Sequence, residues 1–206
     1  MTLERYTIHK EQVWEIEKIK GSRFIGVTAP LPSINAMQEK VDELWVSHPE
    51  ARHICWAYRG SERDIIRLVD DGEPSGTAAR PILTVIEGLG LENIGVAVIR
   101  YFGGTKLGTG GLARAYSSAA QSVLAAAERV TLRPKCSLRL EVDYRFESSL
   151  MYLLQQKQAK LTETSYTDRV TLTAHLLDDF ADQLVEEVTE RTSGRALIKR
   201  GPVFWS

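Results

Sequence analysis

Cations and glycines crowd one short stretch of this chain. From Arg100 to Arg114 the order is Arg-Tyr-Phe-Gly-Gly-Thr-Lys-Leu-Gly-Thr-Gly-Gly-Leu-Ala-Arg. An apolar run, Ile94 to Phe102, precedes the glycines, and a small-residue helical pattern follows them. This reads as strand, glycine loop and helix start in direct succession. Glycine lets a backbone adopt positive φ and approach a ligand closely. A helix start presents unpaired N–H groups and partial positive charge, which favour anions. The chemistry predicted is capture of a negatively charged group, above all phosphate. Arg100, Lys106 and Arg114 would supply charge, and Gly103, Gly104, Gly110 and Gly111 would supply backbone N–H groups. A second reading stays open, in which the glycines only permit tight strand-to-helix packing.

Named nucleotide motifs do not match. Gly108 to Ala113 fits G-x-G-x-x-A in form, but the strand ends several residues too early for the required tight turn. No Gly-Lys-Ser/Thr stands where a Walker A loop needs it.

A second constellation lies upstream, in Asp70-Asp71-Gly72-Glu73-Pro74-Ser75-Gly76. Asp70, Asp71 and Glu73 could hold Mg²⁺, a hard ion that takes carboxylates and bridges to phosphates. They could equally cap a helix and fix a turn, and the structural role is favoured. Arg80 stands just before Pro81, near a second helix start, and could face the same ligand as the glycine loop. His53 and Cys55 are two apart on a strand and so share a face. A nucleophile pair needs a third, orienting group, and the sequence supplies none, so Cys55 reads as a packed thiol. No zinc-ligand spacing occurs, no metal site is assigned, and the catalytic residues are unknown.

The elements that must position these residues follow from periodicity. Val13–Ile19 and Arg23–Ala29 read as a hairpin, and Ser33 as the N-cap of a helix carrying Ile34, Met37, Val41, Leu44 and Trp45. Arg52–Tyr58 and Ile65–Val69 are paired strands. Pro81 sits in the first turn of a helix. Ile94–Phe102 shows little alternation and reads as a central strand. After the alanine-rich helix, Val130–Lys135 reads as a linker, and the pattern restarts as β-α-β-β-α-β, the order of the ferredoxin-like fold. The fold class is α+β, with domains at 1–133 and 134–206.

The 206 residues carry 26 Lys+Arg against 27 Asp+Glu, which excludes a bulk polycation but not a local basic face. Two distant cysteines, no apolar leader and no run long enough to span a bilayer point to the cytoplasm, with no membrane partner.

Four segments carry a resemblance. They are Lys20-Gly21-Ser22-Arg23-Phe24-Ile25, His48-Pro49-Glu50-Ala51-Arg52-His53, Asp70 through Ala78, and Val98 through Leu112. In this order they resemble the IMPACT family, in its bacterial YigZ-like branch. The resemblance implies an N-terminal domain like the second domain of ribosomal protein S-five. It also implies a C-terminal domain like the last domain of elongation factor G. It further implies a link to translation, since eukaryotic members regulate initiation through the activation of an initiation-factor kinase. Their additional partner-binding domain has no counterpart among these motifs.

The leading expectation is a translation-linked regulatory protein that holds RNA or a ribosomal surface beside the glycine loop. The C-terminal domain would add a sheet surface for RNA or a partner. The alternative is an enzyme acting on a phosphorylated or nucleotide-like small molecule, with Mg²⁺ on the acidic loop. A regulatory protein partner, with a purely structural loop, is a third.

Overall fold

The computed structural model describes residues 4–61 and 65–206. Two compact units divide the chain, Met1–Leu132 and Arg133–Ser206.

In the first unit the strands are β1 (Arg5–Ile8), β2 (Gln12–Glu15), β3 (Arg23–Pro30), β4 (His53–Arg59), β5 (Ile66–Val69), β6 (Ile94–Tyr101) and β7 (Arg129–Leu132). The helices are α1 (Ile34–Ser47), α2 (Ala79–Gly88) and α3 (Gly108–Ala125). Five strands form an antiparallel sheet in the order β2-β3-β6-β4-β5, so the apolar strand before the glycines is central, as its pattern predicts. Both faces are covered. Met37, Val41 and Leu44 of α1 meet Ile25, Ile54, Trp56 and Ile99 on one side. On the other, α2 and α3 bury Ile82, Leu83, Ile86, Ala115, Ala119 and Val123 against Phe24, Val96 and Val98.

The alanines of α3 and a glycine of β3 answer each other. A Cβ on Gly26 would stand 2.8 Å from the Ala119 carbonyl oxygen and 3.0 Å from Val123, so the helix lies directly on the strand. Ser33 caps α1 as expected, its Oγ accepting from Ala36 N–H at 3.2 Å.

One expectation is corrected here. In the stretch Val130–Lys135, read as a linker, residues 130–132 belong to β7, which pairs with β1 from Arg5↔Leu132 to Ile8↔Arg129, and Pro134 and Lys135 open the next strand. A four-residue strand whose partner lies over a hundred positions away leaves no local pattern.

The second unit runs β8 (Pro134–Val142), α4 (Glu147–Gln156), β9 (Lys160–Tyr166), β10 (Val170–Leu177), α5 (Ala181–Arg191) and β11 (Leu197–Trp205). Its antiparallel sheet has the order β11-β8-β10-β9. Leu150, Leu153 and Leu154 of α4, with Leu184 and Val188 of α5, pack on Leu138, Leu140, Leu172 and Leu176. Phe180 is exposed in a short 3₁₀ turn before α5, although helical spacing with Leu184 and Val188 would turn it inward. The last strand, β11, runs on to take in Phe204 and Trp205.

Candidate functional site

Strand register builds one row of the site. Phe24, Arg100 and His53 are direct neighbours across β3, β6 and β4. They share the sheet face that carries α2 and α3, because Phe24 and Val98 lie in that core. The next row on the same face is Gly26, Val98 and Cys55. A guanidinium in such a row must be compensated or must leave the interior.

Compensation comes from the acidic loop. Glu73 accepts from Arg100 Nη1 at 2.5 Å, and Tyr116 of α3 donates its hydroxyl to the same Oε1 at 2.9 Å. Both side chains of the pair are about 95% buried, at 5% and 4% exposure. The guanidinium also lies near the rings of Phe24 and Phe102, 5.5 and 5.6 Å from their centroids. Its Nε finds no acceptor. Arg100 is therefore not one of the open cations the sequence suggests. It is an interior charge serving the fold.

His53 and Cys55 complete the network. The His53 Nδ1 lies 2.6 Å from the Asp71 carbonyl oxygen, which can only accept, so Nδ1 carries the hydrogen. Nε2 then faces Glu73 Oε1 at 4.0 Å. The Cys55 thiol donates to the Asp70 carbonyl at 3.0 Å and lies 3.3 Å from Tyr116 Oη. Burial pushes both the thiol and the phenol well above their ordinary pKa ranges. A thiol held neutral and sealed from solvent is no nucleophile, in line with the packed role expected for Cys55.

The remaining carboxylates are structural. Asp70 Oδ1 accepts from Ala78 N–H and Ala79 N–H at 3.1 and 2.8 Å, and Oδ2 from Gly76 N–H at 2.8 Å. It caps α2 from eight residues upstream and fills the anion position there with the chain's own charge. Asp71 Oδ2 accepts from Ile54 N–H at 2.6 Å, which ties the loop to β4. Among the described residues no three His, Cys, Asp or Glu side chains group to hold a metal ion. Asp70, Asp71 and Glu73 are instead each engaged by protein donors.

The glycine loop splits into an anchored and an open part. Gly103 lies so close to the Lys20-Gly21-Ser22 turn that a Cβ on it would stand 1.9 Å from the Gly21 carbonyl carbon. Its N–H donates to Ser22 Oγ at 3.1 Å, so it offers nothing to a ligand. For Gly103 the packing reading holds. Gly104 and Gly108 differ. They have φ of 86° and 72°, with open space where a side chain would begin. The α3 N-terminus at Gly108-Thr109-Gly110-Gly111 has no side-chain cap. Lys106 and Arg114 are exposed around it, and Arg80 is exposed in the first turn of α2. The Arg114 guanidinium runs back along the helix toward Gly110, 3.7 Å from the place of its absent Cβ.

Two protein-family models match the chain. The Impact N-terminal domain matches residues 20–124, and a domain of unknown function (DUF1949) matches residues 140–195. An IMPACT family member of Haemophilus influenzae is 34% identical over 96% of this chain and 97% of its own length. The family members YigZ of Escherichia coli and YvyE of Bacillus subtilis are each 34% identical over 191 residues, covering 89% and 91% of this chain and 94% and 87% of their own. A crystal structure described as that of a hypothetical protein superposes with a TM-score of 0.77 at 28% identity, over 96% of this chain and 97% of that one.

Proposed function

The chain belongs to the IMPACT family, and from that premise we propose a translation-linked regulatory protein that binds RNA or a ribosomal surface through the open helix start of α3. One observation carries the reading. The α2 start is filled by Asp70, whereas the α3 start has no side-chain cap and is flanked by exposed Lys106 and Arg114. Uncapped N–H groups beside cations attract phosphate oxygens. Gly104, Gly110 and Gly111 leave the backbone accessible there, and Arg80 is a further exposed charge near the neighbouring helix start. Arg100, buried, and Gly103, held against the Gly21 turn, are left to the fold.

The finer fold types accompany the proposal. The first unit is of the kind found as the second domain of ribosomal protein S-five. The second is ferredoxin-like, of the elongation factor G last-domain kind, which the strand order β11-β8-β10-β9 supports. A cytoplasmic setting suits this function, and no helix among the described residues is long and apolar enough to cross a membrane.

The experiment is RNA or ribosome binding by the full chain across a salt series. Each lost phosphate contact on single strands lowers the slope of log K against log salt by about 0.7. The pair Lys106→Ala and Arg114→Ala should therefore flatten the slope by about 1.4. Unchanged affinity and slope in that double variant would overturn the reading.

A further inference from the structure

The sheet of the second unit has two unlike faces. One carries α4 and α5 and the leucines of that core. Register assigns the other face. On it Lys199 lies opposite Arg139, His175 lies between Ser137 and Lys160, and Phe204 lies opposite Lys135. Lys135, Arg139, Lys160 and Lys199 thus crowd three successive rows, with Glu163 the one acid among them. Glu141 stands in the row beyond, beside Arg169 at 3.6 Å.

Two features of this face work against folding. Like charges directly opposite on neighbouring strands repel, and Arg139 and Lys199 are such a pair, both exposed and without an ion pair. Aromatic rings left half-buried on a sheet face also keep part of their surface in water. Here His175 and Phe204 meet edge to face at 4.8 Å between centroids. Gly201 lies over Ser137, where a Cβ would come within 2.2 Å of its Oγ, so that row carries no bulk on β11. The result is a low, partly aromatic platform ringed by cations.

We propose that this face binds single-stranded nucleic acid, with bases against His175 and Phe204 and phosphates on Lys135, Arg139, Lys160 and Lys199. Charge complementarity selects a polyanion, and the ring pair selects unpaired bases over the closed edges of a duplex. The inference rests on the RNA-binding reading above, and gives it a second surface and a strand state.

The test is fluorescence anisotropy of a labelled single-stranded uridine decamer with the full chain, from 50 to 200 mM salt. Arg139→Ala with Lys199→Ala should weaken binding roughly tenfold and reduce the salt slope by about 1.4. Phe204→Ala should weaken binding by a similar factor, roughly tenfold, and leave the slope as it is. Lys199→Glu replaces a repulsive pair by an attractive one, so its melting temperature should hold or rise while RNA affinity falls. A loss of affinity in this variant therefore cannot come from unfolding.

Parent-like affinity and slope in the Arg139/Lys199 variant overturns the proposal. If the Lys106/Arg114 variant alone loses binding, the glycine-loop reading stands and this one falls. If the sheet variants alone lose it, this one stands and the loop reading falls. Absence of binding by the parent at 50 mM salt ends both. An acidic protein lost from these variants while RNA affinity is unchanged also overturns it.

Discussion

Replacing Glu73 with Ala should be the most damaging single carboxylate change in the molecule. Arg100 would keep its charge, since guanidinium does not deprotonate in proteins. It would then sit 96% buried between Phe24 and Phe102 with no counterion, its Nε already lacking an acceptor. Breaking a buried pair by removing one partner costs about 3–5 kcal/mol. Tyr116 also loses its acceptor, which adds about 1 kcal/mol. The expected loss is about 4–6 kcal/mol, roughly a quarter or more of the roughly 5–15 kcal/mol that holds a domain folded. For a unit of this size, at about 3–4 °C per kcal/mol, that is a fall of roughly 12–24 °C in melting temperature.

Urea unfolding read by the tryptophans of the first unit, Trp14, Trp45 and the buried Trp56, would measure it in a Trp205→Phe background that silences the second. A double change, Glu73→Leu with Arg100→Met, removes the pair without stranding a charge. It should recover most of the stability. A loss below about 1 kcal/mol in Glu73→Ala would refute the account, because it would mean the guanidinium reaches water.

Three further outcomes follow from the same geometry. Asp70→Ala removes three N–H acceptors at the α2 start and should cost about 2 kcal/mol by urea titration, with Asp70→Asn losing less. Gly103→Ala drives a Cβ into the Gly21 backbone, which cannot yield as a side chain would, so the variant should unfold at markedly lower urea than Gly104→Ala. Cys55 and Tyr116 stay protonated longer when folded than their ordinary values of 9.0 and 10.0 allow. The folded state then binds more protons at alkaline pH, and stability falls as pH rises. The contribution is complete below pH 9 and is lost upward from there. Tyr116→Phe should make the decline above pH 10 shallower in melting-temperature scans, and an unaltered slope would count against it.

Much of the architecture was legible because it is periodic. The unbroken apolar run of β6 announced a central strand, and Ser33 announced its helix. The fate of Arg100 was legible too, by parity. It is two and four residues from Val98 and Val96, both on the face under α2 and α3, and so points inward with them. Three cations near one loop mask that alternation in the sequence. Its partner was not legible. Glu73 reaches Arg100 from a loop 27 residues away, and nothing in the spacing selects it over Asp70 or Asp71. The distant cap by Asp70 was hidden for the same reason, since local cap rules look one residue ahead of a helix and not eight. β1 and β7 escaped because short strands with remote partners have no period of their own.

The touch between Gly103 and the Gly21 turn reaches beyond packing. The first residue of the loop is pinned by main chain on main chain, while Gly104 and Gly108 meet nothing. The loop is thus tethered at its root by Gly103 and held again at Leu107, which packs on the core under α2 and α3. Under the anion-binding reading proposed above, the loop's position is set at Gly103, and the bend at Lys20-Gly21 sets where that root stands. A substitution at Gly21, about eighty residues upstream, would therefore reach the loop through main-chain contact alone.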